Sequence, residues 1–517
     1  MHDAGSALII DGEVVFAMEE EKLTGIKALY SQNIFPEKTL SLIKQKFDAD
    51  LHTCDHIAQG RLYTLDILPK EYNTDHIKEK IQSFSHHQCH AMGAYFTSGM
   101  EGKVISLSQD GAGTRSRGKI YLCEDGQTDL IHSQWLPATS SLAGLWGVAT
   151  ERLGWAQLKD EGKVVGLAAH GKTNNLIYHY LSQCVYYENM DFKEVGWEPK
   201  FRYICNKLQR DGWFEEEEKR ADFAATLQKF VEDNMIKLLF QLQQQYPDYR
   251  KLSLSGGLFA NVKLNQFIND LNYFDEIYIH QAMGDSGLAL GAAICKAVEL
   301  GEIKKPLKID HVYWGENFTE QHWAKETQKH RNLTAENFDI GRVASLIDSG
   351  HIVGLFIGQT EYGPRALGNR SILVRPTDAE THQKLNKRLD RTETMPFAPS
   401  VLSEYADEIF KCQKSKYAAE FMTICYDTRD EWIDRIPAVV HRMDKSSRPH
   451  IVKKDTNPLY YHIIDEYRKI SGFPIVLNTS LNAHGDPINN YPHQAMKLLL
   501  EGCLDYLVTE TNIYSLK

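Results

Sequence analysis

The chain has 517 residues, 42% of them hydrophobic and 25% charged, and a formal net charge of -11. That length suits two or three domains with cores large enough to need no covalent staples. The acidic balance, with no long basic run, argues against a nucleic-acid partner, because neutralising phosphates takes clustered Lys and Arg.

Residues 6–20 hold two apolar runs flanking Asp11-Gly12, the signature of a hairpin. Residues 36–48 have helical spacing with Pro36 at the start. Ser85 is placed to cap a helix that runs to about Ser98 and ends at Gly99. Val104–Ser108 reads as a short strand delivering Asp110, and residues 118–123 as a returning strand. Residues 141–171 are helical in flavour, and 220–246 predict a long amphipathic helix. Leu252–Ser255 is a strand entering Gly256-Gly257, with a helix over Leu258–Leu271. Glu276–His280 is a further strand, and Leu288–Leu300 an Ala-rich helix. Lys304–Pro306 punctuate the chain, which places a domain change near residue 310. Beyond it, Ile352–Ile357 and Pro474–Leu477 read as buried strands and Leu498–Cys503 as a helix. The alternation predicts an α/β protein.

Chemistry concentrates in residues 85–113. His86 and His90 are spaced i, i+4, so on a helix both imidazoles share one face and can share a metal ion. Asp110 at a strand end offers a hard third ligand, and the glycines after it allow backbone N–H groups to approach a phosphate. His87 and Cys89 are most simply structural. Three Gly-plus-Asp turns recur at strand ends: His2-Asp3-Ala4-Gly5, Asp110-Gly111-Ala112-Gly113 and Gly284-Asp285-Ser286-Gly287. Between the last two lies Ser255-Gly256-Gly257, followed by Asn261.

This order of turns resembles the actin/Hsp70/sugar-kinase (ASKHA) nucleotide site, with the paired glycines against the nucleotide and a helix N-terminus facing it. With the histidines included, the whole chain resembles the NodU/CmcH-type O-carbamoyltransferases. The residues carrying the resemblance are His2-Asp3-Ala4, Glu19–Lys22 through Lys27, His86-His87-x-x-His90-Ala91 and Glu161–Ala169. Further along come Ser255-Gly256-Gly257, Gly284-Asp285, Glu361–Ser371 with its Gly-Pro-Arg-Ala-Leu-Gly-Asn-Arg-Ser run, Met395–Pro399 and Asn478–Asn482. They span nearly the full length in order.

The resemblance implies an N-terminal ASKHA domain (RNase H-like, duplicated) over residues 1–310 and a YrdC-like C-terminal domain over 311–517. The second would make a carbamoyl-adenylate from carbamoyl phosphate and ATP, with Mg2+ accompanying the nucleotide. The first would hold that adenylate beside an iron(II) ion while an acceptor hydroxyl attacks the carbamoyl carbon and AMP leaves. The implied metal ligands are His86, His90, Asp110 and Asp285, a set that also suits zinc or manganese. His2 falls at the catalytic base position and Lys27 at a lysine that stabilises the carbonyl oxygen or phosphate. Gly111, Gly113, Gly256, Gly257 and Asn261 fall in the nucleotide turns. Arg365, Arg370, Arg448 and Asn478 would hold phosphate and carbamoyl groups.

Two departures stand out. Family members usually carry a strand before the Gly-His-Asp turn, whereas this sequence begins at Met1-His2-Asp3; the expectation is either a start that lies further upstream or a sheet that tolerates the loss, with His2 then on a loose end. Asp390 stands where many relatives have a lysine, a charge that Lys387, Arg388 or Arg391 can supply. The expected acceptor is a hydroxylated small molecule such as a sugar or natural product, as in antibiotic biosynthesis. The competing readings are a metal- and nucleotide-binding relative without turnover, and carbamoyl transfer to tRNA, which the charge opposes. The nine cysteines form no Cys-x-x-Cys pair, no apolar run reaches the roughly 18 residues of a membrane span, and the N-terminus lacks signal-peptide regions. The expectation is a cytoplasmic protein with reduced thiols and no membrane partner, in an oligomeric state left open.

Overall fold

The computed structural model describes residues 3–28, 35–60, 68–136, 138–194, 196–390 and 395–517. The chain forms two compact units, one of Met1–Val15 with Tyr30–Ile309 and one of Phe16–Leu29 with Asp310–Lys517. Sequence reading puts residues 16–29 in the N-terminal domain; contacts assign them to the second unit. The physical reason is a buried ion pair, Glu19–Lys22, whose other partners are backbone groups of residues 361 and 363.

The hairpin forms as the sequence predicts, from β1 (Gly5–Ile10) and β2 (Glu13–Glu19). Asp11 and Gly12 both have positive φ, 51° and 82°, the conformation a two-residue hairpin turn needs. A short helix, α1 (Glu20–Thr24), follows in the second unit. In the first unit come α2 (Glu37–Phe47), β3 (Ile57–Gln59) and β4 (Ile81–Ser83), then α3 (His86–Thr97). Ser85 caps α3 by accepting the Gln88 N–H, and Gly99 follows at φ 65°.

The central sheet of this unit runs through β5 (Lys103–Gln109), β6 (Ser116–Glu124) and β7 (Gln127–Trp135). After the helices α4 (Leu142–Arg152), α5 (Glu161–Ala168), α6 (Trp197–Arg210) and α7 (Glu217–Gln245), the chain adds β8 (Lys251–Ser255). The expected helix after β8 is interrupted. A single 3-10 turn ends at Asn261, whose side chain caps a separate helix, α8 (Val262–Asp270), by accepting the Leu264 N–H. The strand β9 (Glu276–Ile279) and the helix α9 (Leu288–Glu299) complete the set. The sheet order is β9-β8-β5-β6-β7, with β9, β8 and β5 parallel and β6 and β7 antiparallel.

Two features of this sheet place the functional side chains. First, β5 and β8 carry matching alternations, Ile105-Ser106-Leu107-Ser108 and Leu252-Ser253-Leu254-Ser255, and they pair in register. Leucine and isoleucine therefore line one face and small serines the other. Ser106 Oγ donates to the Ala91 carbonyl of α3, so the serine face lies against that helix. Second, α3 and α9 cross with their backbones nearly touching. A Cβ on Gly291 would sit 2.1 Å from the Cys89 carbonyl oxygen, so only glycine fits there.

The second unit is a mixed eight-stranded sheet. Its elements are β10 (Leu333–Asn337), α10 (Ile340–Asp348), β11 (Val353–Phe356), β12 (Arg370–Val374), β13 (Ala398–Leu402), β14 (His450–Val452), α11 (Pro458–Ser471), β15 (Ile475–Ser480), α12 (Pro492–Leu500), β16 (Tyr506–Val508) and β17 (Asn512–Leu516). The order is β10-β17-β16-β11-β12-β15-β13-β14. Val343, Ile347, Ile463, Ile464 and Tyr467 from α10 and α11 pack on Val353, Leu355, Leu373 and Val476 of the central strands. The last helix is Pro492–Leu500 rather than Leu498–Cys503, because Pro492 and the Tyr491 cap set its start and residues 501–503 form a turn. The two units together make a mixed α/β protein. Among the described residues no helix is long and apolar enough to cross a membrane.

Candidate metal and nucleotide site

Four side chains that are far apart in sequence meet in the first unit: His86, His90, Asp110 and Asp285. Their ligand atoms lie within 4.8 Å of one another, and among the described residues this is the one such group. His86 and His90 project from one face of α3, Asp110 leaves the end of β5, and Asp285 lies in the turn before α9. His86 Nε2 is 3.3 Å from Asp110 Oδ2 and 3.4 Å from Asp285 Oδ1. His90 Nε2 is 3.2 Å and 3.6 Å from the same two oxygens.

These separations fit a bound cation. Metal–ligand bonds of about 2.0–2.2 Å put neighbouring donors roughly 3–3.5 Å apart. His90 Nε2 is fully buried and makes no hydrogen bond, although two carboxylates face it. Burial pushes the His90 pKa down, but Asp110 and Asp285 outweigh it and hold the imidazole at about 9. Without a metal the carboxylates thus draw a proton onto His90, the positive charge that a cation would replace. Burial raises the Asp110 pKa, and the facing imidazoles of His86 and His90 more than reverse this, leaving it well below the usual carboxylate range.

The surroundings orient the ligands. Ser255 Oγ donates to the Met283 carbonyl at 3.2 Å, so it accepts from His90 Nδ1–H at 3.1 Å. That fixes the tautomer and turns the Nε2 lone pair toward the carboxylates. Asp110 Oδ1 accepts the Gly111 N–H at 2.5 Å, which leaves Oδ2 facing the histidines. Ser141 Oγ donates to the Asp110 carbonyl at 2.9 Å. A Cβ on Gly113 would lie 2.4–2.8 Å from three atoms of His86, and one on Gly257 would lie 3.0 Å from Asp110 Oδ1. Gly256 has φ 105° and its Cβ would meet the Gln109 carbonyl at 2.1 Å. Gly113 and Gly257 therefore abut His86 and Asp110 directly, and Gly256 abuts the Gln109 backbone next to Asp110. His87 has a different role. Its Nε2 donates to the Ser116 carbonyl, its Nδ1 accepts from Ser108, and burial holds it neutral.

Ser255→Ala removes the acceptor that orients His90. Outer-shell partners of this kind are worth about 10- to 100-fold in metal affinity. A chelator competition assay should show a loss in that range with the fold kept; unchanged affinity would show that Ser255 does not orient the ligand.

The remaining predicted residues divide. His2 lies outside the described residues. Lys27 is half-buried in the turn after α1, in the second unit, whereas the cluster belongs to the first. Asn261 caps α8 by accepting from Leu264 N and donates to Gln228 Oε1. Arg370 is a correction. It is completely buried, donates to the carbonyls of Ile357, Asn369, Glu316 and Gly358, and lies 3.7 Å over Phe356. Burial lowers its pKa to about 10. Its two terminal nitrogens are spent on carbonyls inside the fold, while the buried Nε has no hydrogen-bond partner.

Arg365 and Arg448 are half-buried in the second unit. Asn478, at the centre of β15, donates through Nδ2 to the Ala366 carbonyl and to Ser400 Oγ, while its buried Oδ1 has no hydrogen-bond partner. Sequence reading missed Ser141 and Ser255 as supports of the ligands. The matched Ser-Leu-Ser alternations ahead of Asp110 and Gly256 were the signal for Ser255.

Two family models match the chain in order: the carbamoyltransferase N-terminus over residues 51–294 and the carbamoyltransferase C-terminus over 344–515. Nodulation protein NolNO of Sinorhizobium fredii is 30% identical over 98% of this chain and 78% of its own length. The uncharacterized protein MJ1058 of Methanocaldococcus jannaschii is 32% identical over 84% of this chain and 73% of that protein. Nodulation protein U of Sinorhizobium fredii is 24% identical over 94% of this chain and 92% of its own length. Among solved structures, component A of (R)-2-hydroxyglutaryl-CoA dehydratase from Acidaminococcus fermentans aligns with 57% of this chain and 93% of its own at 16% identity and a TM-score of 0.36, too slight a likeness to bear on function. With both halves matched and relatives aligned along most of its length, the chain belongs to the carbamoyltransferase family and is a transferase.

Proposed function

We propose that this transferase is an ATP-dependent O-carbamoyltransferase acting on a hydroxyl of a small molecule. The observation that carries the reading is the cluster of two histidines and two carboxylates ringed by glycine turns. In the first half-reaction carbamoyl phosphate, ATP and one water give carbamoyl-adenylate, pyrophosphate and phosphate. In the second the acceptor oxygen bonds to the carbamoyl carbon, the bond to AMP breaks, and the hydroxyl proton leaves with a base.

The second unit, YrdC-like in this reading, forms the adenylate from ATP accompanied by Mg2+. Asn478 supports that assignment. A buried acceptor without a donor costs about 1–3 kcal/mol, and the NH2 of a carbamoyl group is a donor that would satisfy its Oδ1. The guanidinium groups of Arg365 and Arg448 supply forks for phosphate and carbamoyl oxygens. The first unit, ASKHA-like in this reading, performs the transfer. An iron(II) ion held by His86, His90, Asp110 and Asp285 would supply a Lewis acid that offsets charge on the adenylate phosphate. Backbone N–H groups of the turns at Gly111–Gly113 and Gly256-Gly257 bind phosphate oxygens. The family resemblance assigns the acceptor proton to His2, near-neutral in basicity, and the carbonyl oxygen to Lys27. The reaction takes place in the cytoplasm, where the nine cysteines stay reduced.

The test is the full chain with ATP, Mg2+, carbamoyl phosphate, iron(II) and a panel of hydroxylated acceptors. Pyrophosphate release without acceptor, and AMP release with one, support the reading. ATP binding with no pyrophosphate under any condition contradicts it and favours a relative without turnover.

A further inference from the structure

Two buried charged residues from the start of the chain grip the Gly-Pro-Arg loop of the second unit. Lys22 is 1% exposed. Its Nζ donates to the Glu361 carbonyl at 2.5 Å and the Gly363 carbonyl at 2.9 Å, and pairs with Glu19 Oε2 at 2.8 Å. Two N–H groups of the ammonium are thereby spent on backbone carbonyls, and its charge is paired with that of Glu19. Glu19 Oε1 accepts the Gly363 N–H at 2.6 Å. Gly363, at φ 107°, thus has both its backbone groups held by one ion pair. Beyond it, Glu361 Oε1 accepts the N–H groups of Leu367, Asn369 and Arg370 at 2.9–3.0 Å, and Asn478 holds the Ala366 carbonyl. Arg365 therefore sits in a loop whose backbone is fixed on both sides.

For stability alone this arrangement is uneconomical. A buried ion pair is commonly replaceable by apolar side chains of similar volume at no loss. Hydrogen bonds aimed at both backbone groups of one glycine define a geometry instead. We infer that Glu19 and Lys22 are positioning residues, which set the Arg365 guanidinium for the carbamoyl phosphate oxygens through their hold on Gly363. The inference rests on the proposed role of Arg365.

The experiment compares Lys22→Met, the pair Glu19→Gln with Lys22→Met, and Arg365→Ala in the full chain. It reads pyrophosphate release, KM for carbamoyl phosphate and for ATP, and the thermal midpoint. Lys22→Met leaves Glu19 as a lone buried charge and should lower the midpoint. The double variant removes both charges of the pair and should recover the midpoint, while KM for carbamoyl phosphate stays raised at least tenfold and KM for ATP stays near wild type. A double variant that recovers both midpoint and KM overturns the inference, and so does one that fails to fold, since the pair would then serve the core alone. Arg365→Ala separates the two claims. Unchanged pyrophosphate release there removes the proposed role of Arg365, whereas its loss alongside a normal double variant removes only the positioning inference.

Discussion

Replacing His90 with Ala is expected to abolish carbamoyl transfer to the acceptor while leaving pyrophosphate release intact. His90 offers Nε2 to the cluster, and its Nδ1 is already committed to Ser255. Removing it leaves Asp110 and Asp285 facing a position with one fewer ligand, His86 being the one imidazole left beside them. Loss of a ligand should exceed the roughly hundredfold upper range seen for outer-shell partners. Arg365, Arg448 and Asn478, the residues proposed to form the adenylate, all belong to the second unit, so the first half-reaction should persist. His90→Asn, which keeps a polar side chain, guards against an effect of cavity formation alone. If transfer survives in both variants, the cluster is not the transfer site. If transfer and pyrophosphate release vanish together in a folded protein, the two half-reactions are not divided as proposed.

The second large effect concerns packing. Gly291→Ala places a methyl 2.1 Å from the Cys89 carbonyl, a backbone atom that cannot turn aside. The helices α3 and α9 must separate, at a cost of about 1–3 kcal/mol for an overpacked contact. α3 carries His86 and His90, and Asp285 lies just before α9, so separation also pulls the ligands apart. Both a lowered thermal midpoint and weakened metal binding are expected. Gly162→Ala is the control, because its Cβ would meet nothing within 4 Å on a helix. Equal behaviour of the two variants would mean that the close crossing does not hold the site together.

Much of the site is legible in the sequence because its signals are local. The i, i+4 histidines, the Ser85 cap and the Asp11-Gly12 turn each depend on residues a few positions apart, and all three form as expected. The serine faces of β5 and β8 also leave a local trace, but their meaning depends on the pairing of two strands far apart in the chain. Other features depend on such pairings entirely. Nothing near Gly291 shows that the Cys89 carbonyl lies against it. Nothing near Lys22 shows that its ammonium is buried on residues 361 and 363. The same limit explains Arg370, which by composition looks like a phosphate ligand and by burial is a structural donor to four carbonyls. In the second unit most strands are only two to six residues long and buried on both faces, so they lack the alternation that reveals a half-exposed strand.

The central claim is that His86, His90, Asp110 and Asp285 hold one divalent ion. Elemental analysis of the purified full chain, loaded anaerobically with iron(II) and passed through a desalting column, tests it most directly. About one ion per chain is predicted for the wild type and almost none for His86→Ala or Asp285→Ala, with both variants folded. Equal metal content in the wild type and the variants would contradict the account.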